Sequence, residues 1–154
     1  MFDIVGNATD PLAARLSNFT DRPFVFNGVR CAGLEGPIQA FKCPFIYVQV
    51  EVCALPGKAA KKRGREFVWK DTHLLWWNGV SFDRFGRGYA DLVTQLYDAA
   101  YDQDPRFMQD LLAVGTQDLR HSIGNTDMRE TVLTEVEMIH QLNRLRIRAI
   151  RESR

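Results

Sequence analysis

The clearest local pattern is Phe24-Val25-Phe26-Asn27-Gly28-Val29-Arg30, where an Asn-Gly pair separates two short apolar runs. Asn-Gly accepts positive φ at both central positions of a type I′ turn, so the pattern predicts a β-hairpin. Pro37 suits the first turn of a short helix, where its missing N–H is not needed, and Pro44 closes that helix. On it, Gln39 and Lys42 are three apart and share a face, while Ile38 and Phe41 share another. From Phe45 to Cys53, Ile46, Val48, Val50 and Val52 alternate with Tyr47, Gln49 and Glu51, which predicts a strand. Tyr89, Leu92, Val93, Leu96, Tyr97 and Ala100 follow the 3, 4 spacing of an amphipathic helix. Asp104-Pro105 starts another helix as cap and first residue, and Gly115 ends it. A last long helix is expected from about Glu130 to Ile150, with acids early and arginines late, as the helix dipole favours. Together these elements predict an α+β fold that is mostly helical with a small antiparallel sheet.

Composition narrows the class. The chain has 154 residues, 45% hydrophobic and 25% charged, which fits one globular domain spanning 1–154 with a real core. A formal net charge of +1 argues against bulk electrostatic binding of nucleic acid. Cys31, Cys43 and Cys53 are odd in number and lack CxxC spacing, so they read as buried free thiols of a reducing compartment. No basic segment followed by an apolar core opens the chain, and no apolar run approaches membrane-spanning length. The expectation is a cytoplasmic protein with no membrane partner. His73, His121 and His140 do not form metal-ligand spacings, so no metal and no cofactor are expected. No Walker-type or GxGxxG loop is present, nor a GxSxG nucleophile elbow.

The residues that could carry chemistry cluster between Leu16 and Lys42. Glu35 lies at the start of the short helix, where an acid can do no more than meet free backbone N–H groups. With Gln39 and Lys42 it also forms Glu35-x-x-x-Gln39-x-x-Lys42, a carboxylate, an amide and an ammonium within two helical turns. Asn18 and Phe19 read as a turn residue and a core ring, or as an amide and a ring able to hold a planar heterocycle. Lys58 to Arg65 is the densest basic run, a solvated face or a contact for phosphates. Trp76 and Trp77 form a planar pair that is core or platform. The stretch from Arg144 to Arg154 reads as an exposed helix face and C-terminal extension, outside any site.

Leu16-Ser17-Asn18-Phe19, the Phe24–Val29 hairpin and Glu35-x-x-x-Gln39-x-x-Lys42 together resemble the NADAR (YbiA-like) family. The resemblance is strong over residues 16–42 and weak beyond residue 66, and it allows a helix where the alternation predicts a strand. It implies a YbiA-like fold and cleavage of N-glycosidic bonds in ADP-ribose-linked or riboflavin-pathway compounds. It implies catalytic roles for Glu35 and Lys42, and a pocket partly built by Asn18 and Phe19. A family segment of the form AKxxGR maps onto Lys61, Lys62, Gly64 and Arg65, which suggests pyrophosphate contacts from Lys61 and Arg65. A family Trp followed by Arg maps onto Trp76 or Trp77 with Arg84. The C-terminal half departs from the family pattern, because Gly124 to Thr131 lacks its Trp-Gly pair. There Asp127 is the natural second carboxylate, or a cap for the last helix.

The implied function is an N-glycosidase acting on an ADP-ribose-like small molecule or an ADP-ribosylated nucleic-acid base. Two routes are open: proton transfer by Glu35 with Asp127 assisting, or a Schiff base on Lys42. A riboflavin-pathway substrate is the runner-up, followed by a module that binds ADP-ribose without turning it over.

Overall fold

The computed structural model describes residues 1–5 and 9–154. In chain order its elements are β1 (Phe2–Asp3), α1 (Pro11–Leu16), β2 (Phe24–Phe26), β3 (Val29–Cys31), α2 (Glu35–Ala40), α3 (Ile46–Cys53) and α4 (Gly57–Gly64). They continue as β4 (Leu74–Trp77), β5 (Val80–Asp83), α5 (Arg87–Gln103), α6 (Pro105–Val114), β6 (Leu119–Arg120) and α7 (Glu135–Glu152). Helix dominates, and the strands form three separate two-stranded pairs instead of one antiparallel sheet. β2–β3 and β4–β5 are antiparallel hairpins, whereas β1 pairs with β6 in parallel.

The hairpins follow directly from turn chemistry. Asn27 and Gly28 adopt φ of 48° and 81°, and Asn78 and Gly79 adopt 51° and 83°. Phe24 and Phe26 point inward while Val25 faces out, its backbone closed by the Gln103 side chain of α5. The expected helices α5 and α6 are present. Asp104 caps α6 by accepting from the Arg106 N–H at 3.0 Å, and Gly115 stops it at φ 69°.

Two expectations are corrected. Residues 46–53 are helical, not a strand: Val48, Gln49, Val52 and Cys53 are the buried positions, one face of a helix. The apolar alternation left Ile46, Tyr47 and Val50 in solvent. The final helix begins at Glu135 rather than near Glu130, because Thr134 and Glu137 form a reciprocal capping box that fixes the start. Residues 144–152 continue α7, with Leu145 and Ala149 buried. Arg144 and Arg148 pair with Asp98 and Asp102 of α5 at 2.7 and 2.5 Å.

A single apolar cluster draws on all three strand pairs and on every helix except α4. Within it Trp77 is stacked on Phe26 with ring centroids 5.2 Å apart and edge-on to Phe41 at 5.4 Å. Among the described residues no helix is long and apolar enough to cross a membrane.

Candidate active site

A cleft of about 320 Å³ opens between the Ser17-Asn18-Phe19 turn, α2, α4 and the segment that leads into α7. Glu35, the first residue of α2, forms part of its floor and is only 6% exposed. The Glu35 backbone N–H donates to the Asn18 carbonyl at 3.2 Å, so the turn sets where α2 begins. One helical turn later, Gln39 Nε2 donates to Glu35 Oε1 at 2.7 Å. Burial pushes the Glu35 carboxyl above the usual carboxylate range, outweighing the Gln39 bond and the nearby positive charges of Lys61 and Lys42. Burial of this kind raises the proton affinity of a carboxyl.

The wall around Glu35 depends on a close helix approach. Gly64 places its backbone against Gln39, where an added Cβ would stand 1.9 Å from Oε1. At the other end of α4, a Cβ on Gly57 would meet the Phe19 backbone at 2.5 Å. Only glycine at both ends lets α4 lie across the Ser17–Phe19 turn and Gln39 together, which brings Lys61 to the cleft. Asn18 Oδ1 accepts from the Tyr97 hydroxyl at 2.8 Å. That bond fixes the amide and leaves its NH2 group without a protein partner among the described residues.

Asn18, Phe19, Glu35, Gln39 and Lys61 therefore share one concavity. Other residues singled out in the sequence lie elsewhere. Lys42 follows α2 in a turn, because the helix ends at Ala40, and so it stands beside the cleft rather than in its wall. Its ammonium is lowered to about 8, first by burial and then by the charge of Lys61. Arg65 is exposed beyond the end of α4. Trp76 and Trp77 belong to β4, Trp77 with its ring in the core, and neither lines the cleft.

Arg84 is fully buried behind the wall, its guanidinium held bidentately by Glu137 at 2.6 and 3.1 Å and by the Thr131 carbonyl at 2.8 Å. It braces residues 131–137 without reaching the cavity. Asp127 is neither in the wall nor the cap of α7. It closes its own turn, accepting from the Arg129 backbone at 2.9 Å and pairing with the Arg129 guanidinium.

Five polar residues of the wall were given no site role from the sequence: His121, Asn125, Glu130, Thr131 and Thr134. Glu130 is bound to Lys70 at 2.8 Å on the rim. The one available signal was Gly124-Asn125, a turn that folds the chain back beneath His121. No cluster of metal-ligating side chains occurs among the described residues.

The fold and sequence both have known relatives. The solution structure of the E. coli protein YbiA superposes with a TM-score of 0.65, covering 99% of this chain and 89% of that one at 16% identity. The fold is thus YbiA-like. A 17.1 kDa protein from the Gp30–rIII intergenic region of Enterobacteria phage T4 is 38% identical over 133 residues, 85% of this chain and 88% of its own length. Residues 11–147 match the family described as bacteriophage protein GP30.3, and the chain belongs to that family.

Proposed function

We propose that the cleft hydrolyses an N-glycosidic bond, with an ADP-ribose-type N-glycoside such as ADP-ribosylated guanine as substrate. The observation that carries this reading is Glu35, a buried carboxyl with raised proton affinity at the floor of a concave site, clamped by Gln39. Breaking an N-glycoside needs a proton for the departing nitrogen and stabilisation of positive charge at the anomeric carbon. A carboxyl whose proton affinity is raised by burial is suited to supply the first. The unpartnered Asn18 amide offers donors to ribose or base oxygens, the Phe19 ring offers a stacking face, and Lys61 offers a charge for a phosphate. The motif resemblance to the NADAR family and the YbiA-like fold agree with this assignment.

The volume, at the low end of the range of about 300–1,000 Å³ for small-molecule sites, suits a ribose with its attached base; the remainder of a longer ligand would lie outside. Incubating the protein with ADP-ribosylated guanosine, with NAD and with riboflavin-pathway N-glycosides, then separating products by chromatography, tests the reading. Release of guanosine and ADP-ribose from the first is expected. Release from a riboflavin-pathway compound alone would transfer the assignment to the runner-up, and binding without release would make the protein a ligand-holding module.

A second route is favoured by one observation, the Lys42 ammonium lowered to about 8. An amine so easily deprotonated can condense with a ring-opened ribose to give a Schiff base that water then hydrolyses. Borohydride added during turnover traps substrate on the wild type but not on Lys42→Ala if that route operates, and on neither if Glu35 acts alone.

A further inference from the structure

Protonation of the leaving nitrogen leaves a second task, removal of a proton from the attacking water, and the expected second carboxylate is absent from the cleft. Asp127 is bound to Arg129 outside it, and Glu130 is tied to Lys70 on its rim. A side chain with a different chemistry occupies the wall instead.

His121 lines the cleft directly after β6. The residue is held at three points, two of them on its ring. Nδ1 lies 2.6 Å from the Ile4 carbonyl, the backbone N–H donates to Glu135 Oε2 at 2.7 Å, and Gly124 packs beneath the ring, where a Cβ would come within 2.6 Å of Cδ2. A carbonyl oxygen can only accept, so the neutral ring carries its proton on Nδ1. Nε2 is then the basic nitrogen, and among the described residues it has no protein partner. An imidazole oriented by a backbone acceptor, with its other nitrogen free in a cavity, has the arrangement of a general base.

Resting on the hydrolase reading, we propose that His121 Nε2 is the base that activates water in this cleft, opposite the proton donor Glu35. The C1′–N bond breaks with its electron pair going to nitrogen, which takes the Glu35 proton. The water oxygen bonds to C1′ and its proton passes to His121 Nε2. The products are the free base and a ribose hemiacetal, and both side chains return to their starting states by exchange with solvent. The charged and titratable groups around the imidazole are Glu35 and Lys61 across the cleft, Asp3 of β1, Arg120 of β6 and Glu135 of α7.

His121→Asn separates chemistry from structure, because the Asn amide can replace Nδ1–H toward the Ile4 carbonyl but has nothing in place of Nε2. The wild type and this variant are compared on ADP-ribosylated guanosine across pH, and 15N spectra of histidine-labelled wild type are recorded with and without ADP-ribose. The expected result is an Nδ1–H tautomer whose Nε2 resonance moves on adding ADP-ribose. The variant should keep its melting temperature and KM within about twofold while kcat falls on the order of 10²-fold or more. The acidic limb of the kcat profile, which reports imidazole protonation, should disappear in the variant.

An active wild type whose variant keeps both rate and acidic limb overturns the base assignment alone. An Nε2 resonance indifferent to ADP-ribose overturns it as well. A wild type whose Nε2 responds to ADP-ribose yet hydrolyses no N-glycoside overturns the hydrolase reading and the base with it.

Discussion

Gly64→Ala adds one carbon at a point where the site has no room for it. The new Cβ would stand 1.9 Å from Gln39 Oε1 and 2.7 Å from its Cδ, against the 3.4 Å at which ordinary contact begins. The Gln39 amide must therefore withdraw by about 1.5 Å, enough to break its 2.7 Å bond to Glu35. Overpacking of this kind costs about 1–3 kcal/mol, and losing a buried bond to a carboxyl costs about 1–3 kcal/mol more. Replacing glycine in a helix returns about 0.5–1 kcal/mol. The net loss is about 1–5 kcal/mol, and at about 2–4 °C per kcal/mol for a chain of this size the melting temperature falls by about 2–20 °C.

Activity should suffer more than stability, because a catalytic group displaced by about 1 Å can lose on the order of 10²-fold in rate. Calorimetric melts and initial rates give both quantities. In a Gln39→Ala background the obstruction shrinks to the residue's own Cβ at 3.0 Å, so the Gly64→Ala penalty should fall by half or more. Wild-type melting and rate in Gly64→Ala, or the same penalty in both backgrounds, would refute the packing argument.

Other expectations follow from the same contacts. The Glu35 carboxyl is raised in the folded protein, so the stability it contributes is full below its unfolded range and lost as pH rises through the folded value. Glu35→Gln should therefore melt progressively higher relative to wild type as pH rises above the ordinary carboxylate range; a difference that shrinks with rising pH contradicts the burial argument. Arg84→Ala leaves Glu137 and the Thr131 carbonyl without their partner and should cost about 3 kcal/mol by urea denaturation. Its loss should also lower activity by loosening residues 131–134 of the wall, whereas an unchanged midpoint would show that the brace contributes nothing.

Much of this fold is written locally in the chain. Asn27-Gly28 fixes a hairpin by its own φ preferences, and Asp104-Pro105 with Gly115 bounds α6 by capping alone. Asn78-Gly79 carries the same hairpin signal, although the adjacent Trp76 and Trp77 read from the sequence only as a planar pair, core or platform. The error over residues 46–53 has a tertiary cause. β-Branched alternation favours a strand locally, yet Gln49 in the helix donates from Nε2 to the carbonyls of Ala40, Cys43 and Trp76, and that satisfies a buried amide no strand would have placed there.

In the site, Glu35 and Gln39 were legible because one helical turn joins them. Lys42 shares the motif but falls past the helix end, so sequence spacing overstated its alignment. His121 was illegible: 86 residues separate it from Glu35, and only the parallel pairing of β1 with β6 carries Ile4 to its ring.

The central claim is that Glu35 donates the proton on which the leaving nitrogen depends, and leaving-group dependence tests it most directly. Wild type and Glu35→Gln are compared on two ribosyl substrates, one whose base must be protonated to depart and a p-nitrophenyl riboside that departs as an anion. The account predicts that Glu35→Gln loses on the order of 10²-fold or more in kcat on the first and keeps most of its rate on the second. Equal losses on both substrates, or no loss on the first, would contradict it.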